Sequence, residues 1–122
     1  MKVLLVRPPS IMGHEHTHAL QHPVNLCYLA AVALNTGAAA AIRDFEINEY
    51  SPRVFAKILK EEKPDVVGFT SMTPAIDMVG GMADVVRDAL PDAINVVGGP
   101  HTSILPVETL DRYRSVDAVI VG

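Results

Sequence analysis

Five short apolar runs rich in β-branched residues, at 2–6, 39–45, 65–70, 93–98 and 117–121, alternate along the chain with stretches of helical period. Continuous apolar strands separated by helices are the pattern of a parallel sheet buried on both faces. The second run opens on the alanines at 38–41, which suit a helix as well as a strand. Residues 23–36 read as a first helix, with Pro23 at its opening turn and Gly37 as its stop. Ser51 and Pro52 open a second, in which Val54, Phe55, Ile58 and Leu59 form one apolar stripe that Lys63 and Pro64 end. Thr73 and Pro74 open a third, where Ile76, Val79, Ala83, Val86 and Leu90 recur at spacings of three and four until Pro91. A short fourth helix is predicted over 106–110.

Five strands joined by right-handed crossovers this short wind most simply into a flavodoxin-like, Rossmann-like α/β fold. It is a three-layer sandwich around a parallel sheet of order 2-1-3-4-5. Ligands of such sheets bind beyond the carboxyl ends of the strands, at the switch point between strands one and three. The loops that begin at Arg7, Thr70 and Gly98 are therefore the ones to inspect. A fifth helix would normally follow strand five, but the chain stops at Val119-Ile120-Val121-Gly122. That ending predicts one domain over 1–122, excised from a longer protein, with its final helix cut away.

At 122 residues and 49% hydrophobic, the chain suffices for one compact domain with a core and not for two. A formal net charge of -4 offers no basic patch of the kind nucleic acid or an anionic membrane requires. The apolar runs fall far short of the roughly 18 to 20 residues a spanning helix needs. A single cysteine, Cys27, can form neither an internal disulfide nor an iron-sulfur or zinc cluster by itself, and with no signal peptide it predicts a reducing, cytoplasmic setting.

The loop after strand one runs from Pro8 to His22, where an ordinary connection takes roughly 2 to 6 residues. It holds His14, His16, His18 and His22, four of the five histidines. Alternation at 14, 16 and 18 would set three imidazoles on one side of an extended segment, which makes His14 and His16 candidate metal ligands. A solvated loop with incidental histidines is the competing reading. After strand three, Thr70, Ser71 and Thr73 surround Met72 with hydroxyls that can bind a heterocyclic nitrogen or a phosphate. Thr73 alternatively caps the third helix. Strand four ends in Gly98-Gly99-Pro100-His101, where absent side chains let a flat ligand approach the backbone, or simply permit a tight turn. Gly80 and Gly81, inside the third helix, predict a close approach by another element. Arg7 and Asp44 read as a strand-end ion pair. No nucleophile with its base, and no pair of carboxylates, stands at these loops, so the chain reads as a binder and not a catalyst.

Four segments together resemble a known family: Lys-Val-Leu-Leu-Val-Arg-Pro-Pro at 2–9, Pro-Asp-Val-Val-Gly-Phe-Thr-Ser at 64–71, Val-Val-Gly-Gly-Pro-His-Thr at 96–102 with Pro-Val-Glu at 106–108, and Val-Asp-Ala-Val-Ile-Val-Gly at 116–122. They are similar to the N-terminal cobalamin (B12)-binding domain of B12-dependent radical S-adenosylmethionine proteins, the group of the anaerobic magnesium-protoporphyrin monomethyl ester cyclase. The likeness spans nearly the whole chain. It implies a corrin ring over the carboxyl end of the sheet, with the dimethylbenzimidazole tail withdrawn from cobalt and buried beside the strands. It implies cofactor contacts at Arg7, Pro8, Pro9, Thr70, Ser71, Met72, Thr73, Gly98, Gly99, Pro100 and His101. Ser71-Met72-Thr73 stands where related domains carry Ser-x-Leu, whose serine meets the tail, and Gly98-Gly99 matches the glycine pair the tail passes. The Asp-x-His-x-x-Gly motif that binds cobalt in mutases and methionine synthases has no match in residues 7–14, which implies a lower cobalt face left open, watery or covered by the long loop, from which His14 or His16 could still reach it. In the parent, S-adenosylmethionine and a [4Fe-4S] cluster would belong to a downstream radical domain, which would perform methyl transfer or cyclisation.

Two other readings compete. One is a flavodoxin-like module for another nucleotide cofactor such as flavin mononucleotide, although no phosphate loop is visible and aromatics are only 5% of the chain. The other is a non-enzymatic receiver or interaction domain, although strand one leads to Arg7-Pro8-Pro9 where a receiver has acidic residues.

Overall fold

The computed structural model describes residues 1–10 and 21–122. His14, His16 and His18 lie outside the described residues. The elements run β1 (Lys2–Arg7), α1 (Val24–Asn35), β2 (Ala39–Asp44), α2 (Pro52–Glu62), β3 (Val66–Thr70), a 3-10 turn (Thr73–Ala75), α3 (Ile76–Ala89), β4 (Ile94–Gly98), α4 (Pro100–Ile104), α5 (Pro106–Arg112) and β5 (Ala118–Val119). All strand pairs are parallel and the sheet order is β2-β1-β3-β4-β5, as the alternation of strands and helices predicts.

Local chemistry sets the helix boundaries. The Ser51 hydroxyl accepts the Val54 N–H at 3.1 Å, Pro52 occupies the first turn, and Lys63 in the left-handed region closes α2 ahead of Pro64. Phe55 and Leu59 turn α2 onto the sheet, where they meet Leu4, Val6, Val67, Phe69 and Val97 from the strands and Val79, Met82, Ala83 and Val86 from α3. This is the main core, and it lies wholly on one face. Phe55 packs edge-on against both Phe45 and Phe69.

The other face is covered only in part. Helix α1 packs on β1 and β2, yet it buries a single large side chain, Leu26, and leaves Tyr28, Leu29, Val32 and Leu34 exposed. Beside it, no helix among the described residues covers the strand residues opposite the main core on β3, β4 and β5, and Ile94 and Ile120 are exposed.

Three expectations need correction. Strand five is two residues long rather than spanning 117–121: Ala118 and Val119 are in register with Val96 and Val97, and the flanking Asp117 and Ile120 N–H groups donate to the Asn95 and Val97 carbonyls without extending the ladder. The segment after Gly99 is no open loop but a helical turn, α4, with Pro100 as its first residue. Thr73 does not cap α3. It begins the intervening 3-10 turn, and α3 has no side-chain cap. The glycine pair in α3 divides: a Cβ at Gly80 would stand 2.2 Å from the Tyr113 ring, whereas one at Gly81 would meet open space.

Candidate functional site

At the carboxyl ends of the strands, two in-register pairs stand side by side: Arg7 with Asp44 across β1 and β2, and Thr70 with Gly98 across β3 and β4. Strand alternation puts all four opposite the main core, on the side of α1. Arg7 donates through Nε to Asp44 Oδ1 at 2.8 Å and through Nη2 to Asp44 Oδ2 at 2.5 Å, and its guanidinium lies 3.4 Å from Glu46. Its remaining arm donates to the Gln21 carbonyl at 2.9 Å. Hydrogen bonding to Asp44, reinforced by the charges of Asp44 and Glu46, holds the Arg7 pKa above its ordinary value against the opposing effect of burial. The pair is the strand-end ion pair read from the sequence, with the guanidinium fully committed.

The loops after β3 and β4 are stitched together. Ser71 donates its N–H to the Gly98 carbonyl at 2.9 Å and accepts the His101 N–H at 3.3 Å. The His101 ring meets the Thr73 hydroxyl through Nδ1 at 3.1 Å, so the hydroxyl expected to cap a helix is spent on this cross-link. His101 is buried, as polar side chains with a satisfied partner can be. Thr70 receives a hydrogen bond from Asn25 of α1 at 3.3 Å.

Ser71 stands apart from its neighbours. It is 1% exposed, and its hydroxyl oxygen has no hydrogen-bond partner among the described residues. Leaving a buried hydroxyl unpaired costs about 1–3 kcal/mol, so it calls for an explanation. Ser71 lines a groove of about 360 Å³ together with Arg7, Pro8, Pro9, Ser10, Asn25, Glu46, Thr70, Met72, Pro74 and Ala75. The groove lies at the switch point between β1 and β3, where the topology predicts ligand binding. It brings together the predicted Arg7, Pro8, Pro9, Thr70, Ser71 and Met72. Thr73 and His101, bonded to each other, lie outside its lining, as do Gly98, Gly99 and Pro100. Asn25 and Glu46 were missed by sequence reasoning. The available signal for Asn25 was a polar residue in the first turn of a helix otherwise apolar until its end.

Gly98 and Gly99 differ in their reasons. Gly99 has φ of +105° and no room for a Cβ, whereas a Cβ at Gly98 would make ordinary contact with Ile120 at 3.6 Å. The protein's own packing therefore demands glycine at 99 and leaves it unexplained at 98. Among the described residues no group of three or more His, Cys, Asp or Glu side chains is placed to hold a metal ion.

A family model described as the B12 binding domain matches residues 15–122. The chain belongs to that family. This B12-binding domain is 30% identical over its whole length to an uncharacterized methyltransferase of Pyrococcus horikoshii, of which it covers 27%. It is 28% identical, again over its whole length, to the anaerobic magnesium-protoporphyrin IX monomethyl ester cyclase of Rubrivivax gelatinosus, of which it covers 22%. The chain thus spans about a quarter of the length of the curated relatives it matches. Among solved structures, the cobalamin-dependent S-adenosylmethionine radical enzyme OxsB superposes with a TM-score of 0.76 at 17% identity, over 94% of this chain and 16% of that one. A CheY-like protein from Pseudomonas aeruginosa superposes at 0.66 with 16% identity, over 99% of this chain and 82% of that one. At these identities the superpositions establish the flavodoxin-like fold that the B12-binding domain shares with both. Among the described residues no helix is long and apolar enough to cross a membrane.

Proposed function

We propose that this domain binds cobalamin across the carboxyl ends of β1, β3 and β4, as the cofactor module of a longer radical S-adenosylmethionine methyltransferase or cyclase. The observation that carries the reading is the unpartnered hydroxyl of Ser71 beside the switch-point groove. A heterocyclic nitrogen on the cofactor's tail would supply the missing acceptor. Gly98 supports the same reading, because it opens space on the sheet where a Cβ would meet only Ile120 among the described residues. Arg7, Pro8, Pro9, Thr70, Met72, Thr73, Gly99, Pro100 and His101 complete the proposed surround.

The residues fit such a ligand by division of labour. The prolines at 8, 9 and 74 offer apolar walls without N–H groups, which exclude water from a flat ring. Arg7, locked by Asp44 and Glu46, fixes the rim between β1 and β2. The cross-link of His101 to Thr73 holds the β3 and β4 loops at a constant separation. When bound, the corrinoid would supply a cobalt centre able to accept and deliver a methyl group. With no Asp-x-His-x-x-Gly match in residues 7–14, the cobalt would be held without a histidine beneath it and with its own base detached.

The domain is proposed to be one part of a longer protein. Its relatives are about four times its length, and the half-bare face over β3 to β5 is what a further helix would cover. S-adenosylmethionine and a [4Fe-4S] cluster would be held elsewhere in that protein. A reducing, cytoplasmic setting is consistent with the free Cys27 thiol.

The test is to mix the chain with hydroxocobalamin, remove free cofactor and record the visible spectrum, beside Ser71→Trp and Gly98→Trp variants that fill the proposed slot. Retained corrinoid with a base-off spectrum, lost in both variants while their far-UV dichroism is kept, is the expected result. No retention by the wild type would overturn the reading.

A further inference from the structure

Residues 23–42 contain no Asp, Glu, Lys, Arg or His, and this charge-free stretch builds two neighbouring surfaces, α1 and most of β2. Strand β2 ends the sheet, so no strand lies along its outer side among the described residues. The Ala39 and Phe45 N–H groups donate to the Met1 and Arg7 carbonyls, so Ala39, Ala41 and Arg43 turn their backbone groups toward β1 and the alternate residues Ala40 and Ile42 turn theirs outward. Edges of this kind are ordinarily blunted by charged side chains, prolines or bulges. None stands at 38–42. Helix α1, which lies over β1 and β2, shows the same lack. Its Asn25 reaches Thr70 of β3 from one flank, which puts Cys27, Ala31 and Leu34, at spacings of four and three, on the flank above the outer side of β2. All three are exposed, Leu34 to 56%. On the other face of the sheet, Ala56 and Lys60 of α2 share a cleft with α3, so Val54 lies on the opposite flank, beside the same edge, and is exposed as well.

We propose that a second copy of this chain covers this surface, through antiparallel pairing of β2 with β2 about a two-fold axis at Ala41, with the two α1 flanks packed against each other. Under a two-fold axis one patch serves both copies, and an edge meets itself antiparallel. Centred on Ala41, Ala40 of each copy faces Ile42 of the other, and each residue offers the donor and the acceptor that its opposite needs. Centring on Ile42 would call instead on the Asp44 carbonyl, which Asn48 already occupies. Centring on Arg43 would set two guanidinium groups opposite each other. About Ala41 the charges are compatible: Arg43 faces Ala39 and Asp44 faces Ala38 of the other copy, and each is already neutralised in its own chain, by Glu62 and by Arg7.

Area argues for the helices as part of the interface. A stable pair buries roughly 800 Å² on each copy, more than a short alanine edge holds. The exposed apolar side chains of α1, Tyr28 at 73% among them, add to it, and a helix apolar on every side is one that is buried in its working state. Small residues at 38–41 let the two backbones meet without bulky side chains between them. The flank used is the one away from Asn25, so the groove at the switch point stays open in both copies.

Sedimentation velocity on the chain tests the pairing, with far-UV dichroism as the folding control for each variant. The wild type should form a species of twice the 13.1 kDa chain mass at about 100 μM, as a micromolar Kd requires. Leu34→Glu sets a carboxylate into the paired flanks and should weaken association about tenfold or more. Ile94→Glu, on the bare face over β4, should leave it unchanged. The register is read by oxidation in a Cys27→Ser background. Ala41→Cys should give a disulfide-linked dimer, because facing residues of such a pair lie about 4.5 Å apart. Ala39→Cys should not, since its counterpart lies about 13 Å away, four positions along the strand. A monomeric wild type, association of Leu34→Glu as strong as wild type, its loss in Ile94→Glu, or no linkage through Ala41 would each overturn the pairing.

Discussion

A Cβ at position 99 would stand 2.6 Å from the Ser71 carbonyl oxygen and 2.9 Å from its nitrogen, so the β4 loop passes the β3 loop at glycine's distance. The same residue has φ of +105°, where side chains are rarely found. Both effects oppose any substitution. Gly99→Ala should cost about 2–4 kcal/mol, measured as a lower urea midpoint, with the positive φ and the backbone clash each contributing.

Gly98 is its control. A Cβ there makes only an ordinary 3.6 Å contact with Ile120, and the backbone is unstrained. Gly98→Ala should therefore leave the urea midpoint within about 0.5 kcal/mol of wild type, or raise it through the lower entropy of the unfolded chain. Retention of hydroxocobalamin should fall in the same variant. A parallel loss of both would mean that position 98 serves the fold alone.

Arg7 makes a different kind of contribution, because Asp44 is buried and depends on it. Removing the guanidinium leaves a carboxylate with little water, and Arg7→Ala should cost about 2–4 kcal/mol. Arg7→Lys should recover only part, since an ammonium cannot reproduce the two-point contact. Much of the loss comes from the orphaned charge, so the double variant Arg7→Ala/Asp44→Ala should be more stable than the sum of the single changes predicts. Urea titrations of the wild type, the three single variants and the double variant supply the comparison.

The sheet order was legible because every strand but the last is a compact apolar run and every crossover is short enough to force neighbours together. The exceptions share a cause, which is that sequence shows a residue's options and not which one tertiary contact selects. Thr73 has the chemistry of a cap, but the buried His101 competes for its hydroxyl and a 3-10 turn separates it from α3. Gly99-Pro100 has the look of a turn, yet a glycine followed by proline also suits the start of a helix, and α4 begins there. Gly80 and Gly81 are equivalent in the sequence; only the arrival of Tyr113 from the end of α5 separates them. At the site, Ser71 was named for its neighbours, while the property that distinguishes it, a buried oxygen without a partner, exists only once the loops have closed. Asn25 and Glu46 reach the groove from outside the three loops that the topology singles out.

Glu62 stands in the last turn of α2, where the helix dipole disfavours a negative charge, and two cations offset that placement. Lys2 Nζ lies 2.5 Å from Oε2 and Arg43 Nη2 lies 2.7 Å from Oε1, so one carboxylate ties α2 to β1 and to β2. Hydrogen bonding to Lys2 is the main reason its pKa lies below the ordinary 4.5, with the charges of Lys2 and Arg43 adding to it and desolvation opposing it. A carboxylate whose pKa is lowered on folding stabilises the fold above its unfolded value, and that contribution is lost as pH falls through the folded value. The difference in stability between wild type and Glu62→Gln should therefore be constant above about pH 5.5 and shrink steadily below 4.5. Its size should not exceed about 1 kcal/mol, because all three side chains keep some contact with water. Added salt should reduce it at pH 7 as well. Urea midpoints at pH 7, 5 and 3.5 would check this, and a difference that grew on acidification would mean that the carboxylate is a burden on the fold rather than a tie.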